Sequence, residues 1–226
     1  MEITERIISM YTKEQTETIA HHAIAVVGGF FGVYALLTRS ETFGSSETTN
    51  LIYLTLAGLD GSFFSFIVRL GGTLCYIFGI VFATLVPKYI KKTDFRYLSI
   101  GIDGIACLIL AQIPGGVDPV FALYPMFFAT SVQWLAYTQA AGYNSATIFS
   151  TNNLRQCFAS FAEYLHSHDR KQLKKFQFYA GTLLCFHIGV IYCWFCMKAW
   201  GIKSIYACLF PLFLAFLATR QDIQKK

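Results

Sequence analysis

Charge is what this chain has least of. Only 14% of its 226 residues are Asp, Glu, Lys or Arg, while 55% are apolar. Soluble domains usually carry about 25% charged residues, so the deficit points to a membrane protein. Also missing are a phosphate-cradling glycine loop, a zinc-protease helix and a serine elbow. Enzymes of those classes are therefore disfavoured, and no cofactor is expected. The start lacks a basic segment leading into a short apolar core and a small-residue cleavage site. Instead Glu2, Glu5, Glu14 and Glu17 make residues 1–20 a polar helical lead-in, and no cleavable signal peptide is expected. The seven cysteines (75, 107, 157, 185, 193, 196 and 208) lie almost entirely in apolar runs. Their odd number and setting argue against a disulfide framework.

What is abundant is apolar sequence in long stretches. A bilayer core of about 30 Å needs about 20 mainly apolar residues per helix. Six stretches qualify, at roughly 21–37, 63–86, 97–113, 120–142, 176–197 and 201–219. With six spans, fourteen of the eighteen Lys and Arg residues fall on one side, together with both termini. Arg39, Lys198 and Lys203 fall on the other, and Arg69 lies inside a span. The positive-inside rule then places the N- and C-termini in the cytoplasm. The net charge of +5 follows from this topology and calls for no nucleic acid. The basic inner face also attracts anionic lipid of the bilayer.

The polar stretch "SATIFSTNNLRQ" at 145–156 has a near-copy, "GSSETTNLIY", at 44–53. Tyr34, Thr48, Asn50 and Leu51 match Tyr137, Thr151, Asn153 and Leu154 at a shift of 103. Gly71, Cys75 and Gly79 match Gly181, Cys185 and Gly189 at a shift of 110. The chain therefore reads as an all-α membrane protein of two three-span repeats, 21–113 and 120–219. An external linker, 114–119, joins them, and a basic cytoplasmic tail, 220–226, follows. Because three is odd, the repeats cross the membrane in opposite senses. Such inverted halves set polar, broken-helix elements near the midplane, where transporters bind solute.

Two functions fit the polar stretches, and both can hold together. In one, Asn153 is an N-cap with Gln156 at the third helical position, opening an amphipathic interfacial helix along Leu154–Leu165. In the other, both stretches dip inward as re-entrant segments. Thr48, Asn50, Thr151 and Asn153 then offer hydrogen bonds to a polar ligand. Tyr34 and Tyr137 are candidates to line the same cavity, or are aromatic packing residues.

"SETTNLIYL" and "IFSTNNLRQ", each after a Tyr-bearing span and before a Gly-rich one, resemble the YoaK-like family of small bacterial membrane proteins. "YNSATIFSTNNLR" and "CFHIGVIY" extend the likeness over most of the chain. Family members typically carry Thr-Gly-Asn-Leu at one or both of these places, whereas Thr48–Leu51 and Thr151–Leu154 replace the Gly. The resemblance implies a six-span protein of the bacterial inner membrane and little about activity.

Asp103 is the one carboxylate well inside an apolar stretch, and His187 is a lone histidine in the fifth. Both are candidates for ion or proton coupling, set against purely structural roles. Arg69 and Asp103 sit at levels about 12 Å apart in straight helices, too far to pair, so Arg69 is expected to snorkel. Cys193-Trp-Phe-Cys196 matches a redox Cys-x-x-Cys, but its surroundings are ordinary span composition. His166 and His168 do not share a helix face, and no metal site is expected.

These residues point first to a secondary transporter or permease that binds a small polar solute between inverted halves. The alternatives are a substrate-binding or scaffold subunit serving a partner complex, and a membrane thiol oxidoreductase. Small-residue faces around Gly28–Gly32 or Gly71–Gly79 would also serve a homodimer.

Overall fold

The computed structural model describes residues 11–39, 47–90 and 93–225. Glu2, Glu5, Arg6, the lead of the first polar stretch (40–46), Lys91, Lys92 and Lys226 lie outside them. Helix α1 (Lys13–Thr38) opens on Thr12. The Thr12 hydroxyl accepts from the Gln15 amide, and the Gln15 side chain accepts from the Thr12 amide in return. This capping box satisfies two otherwise orphaned donors. It starts the helix eight residues before the expected span, so much of the polar lead-in is already α1.

The remaining elements are α2 (Glu47–Leu59), α3 (Phe63–Tyr89), α4 (Phe95–Leu110), a short α5 (Pro119–Ala122) and α6 (Tyr124–Ala136). A hairpin of β1 (Gln139–Ala140) and β2 (Tyr143–Asn144) follows. Then come α7 (Thr151–Ser167), α8 (Arg170–Trp200), a 3₁₀ turn (Gly201–Cys208) and α9 (Leu209–Ile223). Asp94, Asp118 and Asp169 cap α4, α5 and α8 by accepting amide hydrogen bonds from the first turn.

Among the described residues the regular structure is all helical apart from that hairpin, and both polar stretches open helices, α2 and α7. Lys13–Thr38, Phe63–Tyr89 and the helical run Arg170–Ile223 are each long and apolar enough to cross a membrane. The third and fourth expected spans come out shorter. Helix α4 has 16 residues. The stretch 120–142 is broken at Leu123 before Pro125, and α6 ends at Ala136. The run Tyr137-Thr138-Gln139, at the polar end of that stretch, leads into the hairpin. The expected basic tail also differs, because α9 continues through Ile223 and buries Asp222 completely.

Contacts between named residues fix how the helices run. Gly181 of α8 meets His22 of α1, and Gly189 meets Val26, so α8 runs alongside α1 in the same direction. Asp222 meets Thr16, while Ile202 meets Tyr34, so α9 returns antiparallel to α1. On the other side, Gly71 of α3 meets Tyr124 and Gly79 meets Ser131, so α3 runs with α6. Helix α4 packs on α6, α2 on α3, and α7 on α8.

Two glycines make the α1–α8 contact close. A Cβ on Gly29 would sit 1.9 Å from the Phe186 carbonyl oxygen, and one on Gly189 would sit 1.9 Å from that of Val26. Each helix thus presents a glycine to the other's backbone, the packing that small residues permit in lipid. Around it Phe30, Phe31, Leu110, Leu123, Phe127 and Ile205 form a core with no exposure. By contrast Leu74, Ile77, Phe78 and Val81 of α3 and Leu184, Ile188, Ile191 and Phe195 of α8 are exposed. Apolar faces of that extent suit a lipid surround.

The end of α4 is closed by two cations. Buried Arg39 donates from Nη1 to the Pro114 carbonyl (2.9 Å) and from Nη2 to that of Ile113 (3.1 Å). Lys203 donates to the carbonyl of Ala111 (2.7 Å). Carbonyls stranded at a helix C-terminus are thereby satisfied by positive charge.

Candidate ligand-binding site

The site begins where α6 stops. Ala141 and Gly142 both take left-handed backbone (φ 52° and 78°), the geometry of a two-residue hairpin turn. The Ala141 amide donates to Glu17 Oε2 (2.9 Å), which ties the turn to α1. Residues 145–150 then run without helix or strand, yet Ser145, Ala146, Thr147 and Ile148 are buried. Gly28 makes this possible, since a Cβ there would lie 2.0 Å from the Thr147 carbonyl oxygen.

A chain of polar groups stabilises that segment. Asn153 Nδ2 donates to the Ala146 carbonyl (2.6 Å), Ser145 Oγ donates to Asn153 Oδ1 (2.9 Å), and His21 Nε2 lies 2.9 Å from Ser145 Oγ. Alongside, Gln133 Nε2 donates to Thr147 Oγ1 (3.0 Å). Helix α7 starts at Thr151, so Asn153 is inside its first turn, and Ser150 holds the cap position without a side-chain bond. The expected N-cap role for Asn153 is corrected accordingly. Its side chain turns back to hold the preceding segment instead of the helix amides.

Beside this chain lies a cavity of about 450 Å³ whose wall includes His21, Glu17, Asp94, Arg96, Tyr137 and Asp222. Arg96 organises it. Its Nε and Nη2 donate to the two oxygens of Asp94 (3.0 Å each), and Nη1 donates to Asp222 Oδ2 (2.7 Å). Thr16 donates to the other Asp222 oxygen (3.0 Å). The guanidinium therefore joins the start of α4 to the end of α9, and Asp222 in turn ties in the start of α1 through Thr16. Thr138, Gln139 and Gly142 are exposed at the cavity rim.

A second polar cluster surrounds Asn50. Its Nδ2 lies within hydrogen-bond distance of Glu47 Oε2 (2.9 Å), Thr73 Oγ1 (3.0 Å) and the Arg69 carbonyl (3.2 Å). The Arg69 guanidinium stacks over Tyr53, 4.7 Å from the ring centre. Burial pushes the Glu47 carboxyl above the ordinary carboxylate range, against the opposing pull of Asn50 and Thr73. A carboxyl raised in the folded state contributes stability below its unfolded pKa, and loses it as pH rises through the folded value. Glu47→Gln is therefore expected to melt higher than wild type at about pH 8 and to show a smaller change between about pH 5 and pH 8. Thermal unfolding of both proteins at the two pH values checks this.

A family model described as "Protein of unknown function (DUF1275)" matches residues 21–218. The chain belongs to this family. No curated protein and no solved structure matches it. His21, Asp94, Arg96 and Asn153 fall inside the matched residues, and Glu17 and Asp222 fall just beyond them.

The candidate residues from the sequence do not gather in one place in this family member. Asn50 and Asn153 are buried in separate clusters that share no hydrogen-bond partner among the described residues, while Thr48 and Thr151 are exposed. Tyr137 reaches the cavity wall and bonds Thr219 (2.9 Å), whereas Tyr34 bonds the Ile202 carbonyl (3.1 Å) away from it. Asp103 is fully buried in α4, and neither oxygen has a hydrogen-bond partner among the described residues. No ion pair joins it to Arg69 among the described residues. His187 sits on an exposed face of α8, bonded to the Leu183 carbonyl one turn back. Cys193 and Cys196 are buried free thiols. No group of three or more metal-binding side chains occurs among the described residues.

Proposed function

We propose that the protein is a small permease of the bacterial inner membrane, holding a polar solute in the cavity beside His21. In this reading six helices cross the membrane as two inverted halves, α1 to α4 and α5 to α9, with both termini cytoplasmic. The packing supports it. Exchanging α1 for α6, α2 for α7, α3 for α8 and α4 for α9 turns the contacts α1–α8, α1–α9 and α2–α3 into α6–α3, α6–α4 and α7–α8, all of which occur. Each half thus lends its first helix to the other half.

The observation that carries the proposal is the cavity itself. Its wall draws on α1 and α4 of one half and on α9 and the segment after α6 of the other, where the chain is broken and polar. Midplane sites of inverted-repeat transporters are built from such discontinuous elements. With the basic end inside, the cavity faces the cytoplasm.

The test is a thermal-stability screen of the detergent-purified protein against a metabolite library, with His21→Ala and Asn153→Ala beside wild type. A ligand of the folded state raises the melting temperature with its concentration. Hits that lose their effect in both variants are expected to drive counterflow uptake into proteoliposomes. Hits unaffected by either variant, or bound without uptake, would sink the permease reading.

A further inference from the structure

We infer that the solute is a small organic cation bearing an ammonium group, bound between Glu17 and His21; this rests on the permease reading above. The first support is charge. Three carboxylates, Glu17, Asp94 and Asp222, line the cavity against one guanidinium, Arg96. The guanidinium is already committed to Asp94 and Asp222 through all three nitrogens. Histidine aside, the wall carries a formal charge of −2. Glu17 has no ion pair among the described residues. The end of the bundle around it is the basic one, yet Lys13, Lys88 and Arg220 are exposed and stand outside the wall. A negative cavity in a positive face favours a cation inside it.

The second support is independent of charge and comes from the direction of the polar chain. The Ala146 carbonyl can only accept, so it fixes the Asn153 amide with Nδ2 toward it and Oδ1 toward Ser145. Oδ1 can only accept, so Ser145 spends its proton there. The Ser145 oxygen must then accept from His21, which places the His21 proton on Nε2. In the neutral ring Nδ1 is left as a bare acceptor. It is buried and has no partner among the described residues, and His21 is 1% exposed in the cavity wall. Such an atom calls for a donor from the ligand.

Glu17 and His21 are four residues apart on α1, one turn along the same face. An ammonium placed there donates to both, one N–H to Nδ1 and others to the carboxylate. An anion would meet repulsion from the same groups, and a neutral alcohol would leave the excess charge unanswered.

Four probes of equal length separate these cases: 1,4-diaminobutane, 4-aminobutanol, 1,4-butanediol and succinate, in thermal-shift titrations on the detergent-purified protein. Both amines are expected to raise the melting temperature, by ~5 °C at a hundredfold excess over Kd, while the diol and succinate do not. Glu17→Gln keeps the acceptor for the Ala141 amide and is expected to weaken amine binding about tenfold or more. The exposed control Glu163→Gln should leave binding unchanged. Equal stabilisation by diol or succinate, no stabilisation by either amine, or amine binding indifferent to Glu17→Gln would overturn the assignment. The wild-type probe series decides even where the variant folds poorly. A library hit that depends on His21 but is anionic or uncharged would overturn the cation and leave the permease standing. Failure of every solute, amines included, takes down both.

Discussion

Arg96→Ala is expected to lower the stability of the protein by about 3–5 kcal/mol, the usual result of stranding a buried charge. Asp222 has no side-chain exposure and Arg96 only 13%, so removal of the guanidinium leaves a buried carboxylate without its counter-charge. Thr16 still donates to it, but one hydroxyl does not replace a cation. In a melting experiment on the detergent-purified protein the loss should read as ~6–20 °C. The double variant Arg96→Met with Asp222→Leu should recover much of it, because buried ion pairs are often replaced by apolar residues at little net loss. Arg96→Lys should fall between, since one ammonium cannot fork to Asp94 and Asp222 together. Should Arg96→Ala and the double variant melt alike, the pair would not be a stabilising unit.

Alanine at Gly29 or Gly189 is the other change expected to be severe. In both cases the new Cβ meets a backbone carbonyl oxygen at 1.9 Å, and neither α1 nor α8 has a flexible side chain there to yield. The helices must separate, and overpacking of this kind costs about 1–3 kcal/mol or more at each position. Gly29→Ala combined with Gly189→Ala is expected to lose the monodisperse folded species altogether. Gly101 and Gly104 of α4 make the control, since a Cβ on either meets nothing within 4 Å. Alanine there should be neutral or gain up to about 1 kcal/mol from helix propensity. Melting curves and size-exclusion profiles of the four single variants and the double variant compare the two classes directly.

Hydropathy and the two polar stretches made much of this molecule legible in its sequence. Asn50 and Asn153 were recognisable because a polar amide recurs at matching places in an apolar chain, and both prove buried. The early end of α6 was not recognisable. Tyr137–Ala141 sit inside a mostly apolar run of span length, and it is the Ala141 amide bond to Glu17 that shows the chain turning there. Most of the cavity was hidden for a related reason. Glu17 and Asp222 lie in segments whose composition reads as polar ends, and Arg96 reads as one more positive residue of an inner loop. Their meaning depends on contacts such as Arg96 with Asp222, 126 residues apart, which no local pattern announces. His21 offered a signal that was passed over: an ionisable side chain just inside an apolar stretch.

The way α1 packs has a consequence for biosynthesis. Its partners are distant in the chain: His22 meets Phe178 across 156 residues, and Thr16 meets Asp222 across 206. At about 5–20 residues per second, a ribosome needs roughly 10–30 s after making α1 to deliver α8. Within that interval the Glu17–His21 turn and Gly28 wait for residues 141–148, and Gly29 waits longer still, for Phe186 of α8. Lipid or the insertion machinery must shelter α1, and a stalled nascent chain would display its glycine face to quality control. The innermost helix of the bundle is made among the first elements and finished among the last.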